Sequence, residues 1–343
     1  MRIVYGMNPV RELLRSGADG VTELWLAEGG ERMAPDERRE LASSIYRTSR
    51  DLSGQVAKIL QMTRLQTGAM PLQRDWTSAA EIVEAALAER GYTTADIRWI
   101  LLTHIHLDHA GATGTLLREA PHARVLVHER GVKHMVDPGK LIESATRLYG
   151  DQMAPLWGEI APVPAGRIDA IGDRASGTIA GHDVEIAYTP GHAWHHVSYW
   201  VPSSRIAFVG DTAGMCRPGG SAVLPLTAPP DTDLDAWRDS TQRILAWDPD
   251  VLFLTHFGPH RSPRVHYQAL WRQMALWRDR VAATLRPDAD PTGDPARIAR
   301  FSADIIEELT RTVPKTEADA YALAGRFDLS WMGLARYLRK KSA

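Results

Sequence analysis

Cysteine is almost missing from this chain: Cys216 is the one thiol among 343 residues. An intrachain disulfide framework is thereby excluded, as is any metal site built on several thiolates. The same scarcity suits a reducing compartment, so the expected location is cytoplasmic. Long apolar runs are missing as well. No stretch approaches the roughly 18 apolar residues that a membrane-crossing helix needs, and the opening MRIVYGMNPVRELLRSG lacks the apolar centre of a secretory leader. Neither sign of charge prevails, because 40 Lys and Arg stand against 42 Asp and Glu for a formal net charge of −2. Such a balance provides no basic field to gather nucleic acid, and polyanions are poor substrate candidates. There is no G-x-S-x-G nucleophile elbow, no P-loop, no G-x-G-x-x-G and no internal repeat. Histidine is absent until His104.

What is present begins there. His104, His106, Asp108 and His109 stand together as HIHLDH, and imidazoles with a carboxylate are ligands suited to Zn, Fe or Mn. The preceding Ile97 to Thr103, IRWILLT, is a short apolar run that reads as a buried strand. An extended backbone would point His104 and His106 the same way, and the next turn would aim Asp108 and His109 at a neighbouring position. One six-residue segment then serves two adjacent metal ions. Three further strand-like runs end on ligand residues: Val184 to Thr189 leads through Pro190 and Gly191 to His192, Arg205 to Val209 through Gly210 to Asp211, and Val251 to Thr255 into His256. His192 would complete a three-histidine set, Asp211 would bridge both ions, and His256 would join Asp108 and His109. His195, His196 and His260 are candidates for contacting substrate or orienting a ligand from behind, with plain packing as the alternative. His122, His128, His134, His182 and His266 have no motif around them and read as solvated or structural.

Two ions about 3.5 to 4 Å apart can share a water and bring its pKa down towards about 7. The expected chemistry is therefore hydrolytic. A hydroxide bridging two divalent ions, most simply Zn2+ with Fe or Mn as alternatives, would attack the carbonyl of an ester, lactone or thioester, with Asp108 orienting it or moving its proton.

In HIHLDH, TPGH (Thr189 to His192), GD (Gly210, Asp211) and THFG (Thr255 to Gly258) the chain resembles the metallo-β-lactamase-fold hydrolases, with a ligand set like the glyoxalase II type. The resemblance runs from about Glu81 to Ala343, including FDLSWMGLARYLRK near the end. It implies an α/β fold, a four-layer αββα sandwich with the metals where strand-end loops of both sheets meet. A related branch holds one iron and oxidises persulfides, which would use His104, His106 or His192, and Asp211. A catalytically inactive binding or adaptor protein is the other alternative.

Residues 1 to 80 depart from this pattern, and the Asp-Thr-Gly turn expected in the first strands is missing. VYGMNPVRELLRSG with VTELWLAEG resembles the start of the RNA ribose methyltransferases, and Gln55 to Trp76 is similar to a segment of sensor histidine kinases. Neither fragment carries catalytic parts. The expectation is a mostly helical appendage that has replaced the first strands and leaves a sheet edge uncovered, with Val21 to Leu26 as one substitute strand. Residues 81–286 read as the catalytic domain and 287–343 as a linker and helical tail packed on it. Helices are expected over Ser78 to Arg90, Leu234 to Trp247 and Val265 to Leu285. Leu141, Leu148, Tyr149, Met153, Leu156 and Trp157 have the spacing of a helical insert, and with the loop Met215 to Pro230 would make an apolar rim. The expected partner is a small-molecule substrate, with no nucleic acid and no membrane, and a homodimer is allowed.

Overall fold

A computed structural model describes residues 3–5, 79–285 and 294–342. Among the described residues, ten strands form two sheets. β1 (Ile3–Tyr5), β2 (Trp99–Leu101), β3 (Arg124–His128) and β4 (Ile168–Ile171) make a parallel sheet in chain order. β5 (Arg174–Ile179), β6 (His182–Tyr188), β7 (Val197–Val201), β8 (Ile206–Gly210), β9 (Val251–Leu254) and β10 (Gly258–Arg261) make a mixed sheet in which only β8 and β9 run parallel.

Alternation along the strands builds the layers, because successive side chains point to opposite faces. Leu101 and Leu126 face inward and pack with Val184, Ile186, Val197 and Tyr199 of the second sheet. Their neighbours Ile100, Val125 and Val127 face outward, onto Val83 of α1 (Ala79–Ala88), Leu116 and Leu117 of α3 (Thr113–Glu119) and Met135 of α4 (Glu129–Val136); the short α2 (Leu107–Ala110) precedes α3. On the second sheet Trp200, Ala207 and Val209 face the other way, onto Ile244 of α7 (Leu234–Ala246) and Tyr267 and Leu270 of α8 (Pro263–Thr284), while α5 (Gly139–Tyr149) and α6 (Met153–Trp157) lie between α4 and β4 in the chain. The result is helix, sheet, sheet, helix.

Beyond α8 come α9 (Pro295–Thr312), α10 (Lys315–Ala324) and α11 (Phe327–Ser342). Phe301, Ile305 and Leu309 of α9 and Trp331 and Leu334 of α11 share one buried cluster with Trp237, Met274 and Trp277 of the body. Expected and observed helices agree to within a few residues. The first expected strand, Ile97 to Thr103, is shorter than its apolar run, and its end changes sheets. Leu102 N–H still donates to Leu126 O at 3.0 Å, but Thr103 O accepts from Val197 N of the second sheet at 2.7 Å. The Tyr199 hydroxyl donates to Leu102 O at 2.7 Å. HIHLDH therefore starts at the junction of the two sheets.

On the other side of β2 lies β1, which is itself the outermost strand of this sheet among the described residues. Ile3, Val4 and Tyr5 pair in parallel register with Trp99, Ile100 and Leu101. This piece of the N-terminal segment is a strand rather than a helix, and it occupies the ladder that β2 would otherwise leave open. Val21 to Leu26, and the stretches resembling other families, lie outside the described residues.

Candidate metal centre

Each ligand candidate is delivered by a strand end. After β2 come His104 and then His106, which lies on extended backbone at the N-cap of α2, and Asp108 and His109 sit in that helix's single turn. After β6, Gly191 turns the chain at φ +128, where a Cβ would meet Trp237 backbone at 2.3 Å, and His192 follows. At the end of β8, Gly210 does the same at φ +52, where a Cβ would lie 2.3 Å from His196 Nε2, and Asp211 follows. A side chain at either glycine would be strained and would also clash. His256 follows β9.

These seven residues converge. His106 Nδ1 lies 3.1 Å from His104 Nε2 and 3.0 Å from His192 Nε2. Asp108 Oδ2 lies 3.3 Å from His109 Nε2 and 3.5 Å from His256 Nε2. Asp211 Oδ2 stands between the two groups, 3.4 Å from His192 and His109, 3.5 Å from His256 and 4.0 Å from His104. Most of this set is buried, whereas the Asp108 side chain keeps 38% of its surface exposed, towards a cavity.

Such a cluster is electrostatically uncomfortable without a cation. Burial, reinforced by neighbouring imidazoles, holds His104 well below the ordinary histidine range and His192 at about 4. His109 goes the other way. Burial opposes its charge, but Asp108 and Asp211 together raise it to about 10. Burial would likewise raise both carboxyls, yet the adjacent His109 keeps them below the usual carboxylate range. In the metal-free protein His109 thus carries a proton where the carboxylates call for positive charge.

The donor set fits divalent metal. His192 Nδ1 donates to Leu226 O at 2.6 Å, which leaves Nε2 as the lone-pair nitrogen aimed at His106. Both His109 nitrogens and Asp211 Oδ1 are buried without a hydrogen-bond partner among the described residues. Nitrogen and carboxylate oxygen atoms converging on common points, with buried polar atoms beside them that lack a hydrogen-bond partner, are what a cation displacing the His109 proton would coordinate. His104, His106 and His192 form one candidate group, and Asp108, His109 and His256 another.

The supporting histidines differ in role. Asp211 N–H donates to His196 Nε2 at 3.2 Å, so the proton of that ring is on Nδ1 and is shared with Thr189 Oγ1 at 2.9 Å. His196 is fully buried and holds the Asp211 turn from behind. Ile105 N–H donates to His195 Nδ1 at 3.3 Å, and His195 Nε2 faces Asp231 at 3.9 Å on the cavity wall. His260 stands apart from both, its Nε2 donating to Cys216 O at 2.7 Å, and it does not line the cavity.

The cavity holds about 330 Å3 and has Asp108, His192, Asp211 and His256 at its floor. Leu141, Leu148 and Tyr149 line it as the insert spacing suggests, whereas Met153, Leu156 and Trp157 do not; Leu226 to Pro230 supply the loop wall. Arg326, Leu329 and Ser330 also line it, along with His134 and Lys140. Sequence reasoning missed these five because nothing local marks a residue of a distant helix as facing a metal centre. A more open groove of about 590 Å3 along β5 and β6 is larger, but His182 is its one imidazole and no ligand group converges there.

Residues 74–256 match the family model described as the Metallo-beta-lactamase superfamily. A metallo-beta-lactamase fold-containing protein of Sulfurisphaera tokodaii is 32% identical over 180 residues, which are 52% of this chain and 66% of that protein. A hydroxyacylglutathione hydrolase of Maricaulis maris is 30% identical over 136 residues, 40% of each. The chain thus spans less than two thirds of the length of these relatives. Among solved structures, a metallo-beta-lactamase family protein of Thermus thermophilus is similar with a TM-score of 0.50 at 23% identity, over 78% of this chain and 83% of that one, a likeness of fold.

Proposed function

This chain belongs to the metallo-beta-lactamase superfamily, and from that premise we propose that it is a metal-dependent hydrolase acting on the carbonyl of an ester, lactone or thioester with an apolar part. The observation that carries this reading is the pair of three-residue ligand groups, joined at Asp211, on the floor of an apolar-walled cavity. His104, His106 and His192 would hold one ion, Asp108, His109 and His256 the other, and Asp211 both. Two divalent ions in such a site supply a nucleophilic water at neutral pH and polarise the carbonyl oxygen.

The chain's own residues do the rest. Asp108 is the more exposed of the two candidate-ligand carboxylates on the cavity, so it accepts the proton of the attacking water and can release it to the leaving group. His195 accepts from the Ile105 amide, which places its own proton on Nε2 at the cavity wall, where it can donate to a substrate oxygen. His196 keeps Asp211 in place through the backbone amide. Ile105, Leu141, Leu148, Leu226 and Leu329 hold the apolar part of the substrate and keep water from it. The complete second group of Asp108, His109 and His256 supports a two-ion site over a single-iron persulfide oxidase.

The test is metal content per chain by elemental mass spectrometry on protein purified without chelator, followed by a panel of esters, lactones and thioesters. About two zinc or manganese ions with turnover are expected, and Asp108→Asn should lower kcat by about 10²- to 10⁴-fold. Essentially no metal and no hydrolysis after added zinc would overturn the reading, as would about one iron with persulfide oxidation.

A further inference from the structure

A second cluster of metal-ligand side chains lies behind the Asp211 turn, outside the site just described. Cys216, His260 and His266 each place one ligand atom within 4.8 Å of the other two. They come from three separate parts of the fold: the loop after β8, strand β10 and the first turn of α8. Cys216 and His266 are buried and His260 is partly so. The two rings are 5.1 Å apart between centroids.

The hydrogen bonding of both imidazoles matches that of histidines that bind metal. His260 Nε2 reaches Cys216 O at 2.7 Å, and His266 Nε2 reaches Ala213 O at 2.8 Å. A main-chain carbonyl only accepts, so each ring carries its proton on Nε2 and keeps the lone pair on Nδ1. Donation of the second ring nitrogen to a carbonyl is the usual way a metal-bound imidazole is oriented. Burial lowers the pKa of both rings, His266 to about 4, so both are neutral ligands at pH 7. The thiol is pushed up to about 12 by burial, which means that an ion entering here must displace the Cys216 proton into solvent.

We propose that Cys216, His260 and His266 form a separate binding site for one borderline-soft divalent cation of the zinc type. A thiolate with two imidazoles selects zinc over magnesium or calcium. Bond lengths of about 2.0–2.1 Å to nitrogen and 2.3 Å to sulfur need ligand separations of roughly 3.3–3.8 Å, shorter than the 4.8 Å within which the three atoms lie, so the trio must draw together on binding the ion. An ion there would tie the loop after β8, strand β10 and α8 together directly behind Ala213. It would brace the turn that carries Asp211 without touching substrate.

The site stands independently of the hydrolase reading, and the chain's composition makes the test clean. Cys216 is the one cysteine in the sequence, and the candidate active site is all imidazole and carboxylate. A sulfur-to-metal signal therefore reports this cluster alone. Cobalt(II) titration of the metal-free full chain to saturation should produce a sulfur-to-cobalt charge-transfer band whose final intensity corresponds to one thiolate–cobalt site per chain. Cys216→Ser should abolish that band while leaving the visible bands of cobalt bound to imidazole and carboxylate. His260→Gln should weaken the binding that produces the band at least tenfold. In case a variant fails to fold, zinc X-ray absorption on the unmodified, zinc-saturated chain should show a sulfur neighbour at about 2.3 Å. A saturated protein with no charge-transfer band, or a zinc spectrum with no sulfur neighbour, overturns the proposal whatever the hydrolytic activity proves to be.

Discussion

At the scale of single residues, Gly210 decides how close two functional groups can come. Its φ of +52 and the 2.3 Å approach of a built Cβ to His196 Nε2 mean that Gly210→Ala would push apart the His196 ring and the Asp211 amide it holds. Backbone strain together with a buried clash should cost at least about 2 kcal/mol in urea unfolding and reduce metal affinity. A loss below about 0.5 kcal/mol would show that the turn is not tightly fitted. Titration of the buried imidazoles sets a second expectation. Burial holds His192 and His266 at about 4 in the folded, metal-free protein, against about 6.5 in an unfolded chain. Between those values the unfolded state binds more protons, so this stability is complete above about pH 6.5 and is lost as pH falls towards 4. His109 has the opposite sign. Raised to about 10, its contribution is complete below about 6.5 and is lost as pH rises from there through 10, so it does not mask the acid limb. The urea midpoint of chelated protein should drop steadily from pH 7 to 4.5, and a flat profile would contradict the burial of neutral rings.

At the scale of elements, α11 has two jobs that its sequence shows unequally. Trp331 is 1% exposed within the cluster that joins α9 and α11 to Trp277, which its helical apolar spacing makes readable. That Arg326, Leu329 and Ser330 reach the cavity follows only from where the tail docks. Trp331→Ala should therefore cost about 3–5 kcal/mol and also raise KM more than it lowers kcat. A normal KM in the destabilised variant would separate the tail from the substrate pocket. The insert behaves similarly. Leu141 and Leu148, seven residues apart on α5, face the cavity together, so Leu148→Asp should weaken apolar substrates tenfold or more in kcat/KM while leaving metal content unchanged. Strand β2 was legible as an apolar run, yet its length was not, because Thr103 exchanges its neighbour in one sheet for Val197 in the other.

At the scale of the whole molecule, the candidate metal centre draws on loops after β2, β6, β8 and β9, and so on both sheets. Ions bound there would link parts of the fold that are far apart in sequence and would favour the native state, in which the ligands meet. Saturating zinc at about 100 times its dissociation constant adds about 2.7 kcal/mol per site. Thermal unfolding with zinc should therefore occur several degrees above that with chelator, and Asp211→Ala, which removes the shared carboxylate, should erase most of the difference. Equal melting temperatures would show that metal does not couple the two sheets.

The candidate ligands could be read from the chain because each follows an apolar run: a strand buried on both faces must end somewhere, and polar residues grouped at its end are exposed to a common edge. HIHLDH, Pro190 to His192, Gly210 with Asp211 and His256 carried that information locally. The sequence alone pointed to seven candidate ligands, to four strands that end on them and to the helices around 79–88, 234–246 and 263–284. Tertiary structure decided the rest. The pairing of Ile3–Tyr5 with β2, the support of Asp211 by His196, the entry of α11 into the cavity wall and the meeting of Cys216 with His260 and His266 all depend on contacts between distant segments. No local periodicity encodes those contacts, since they are fixed by how whole layers pack.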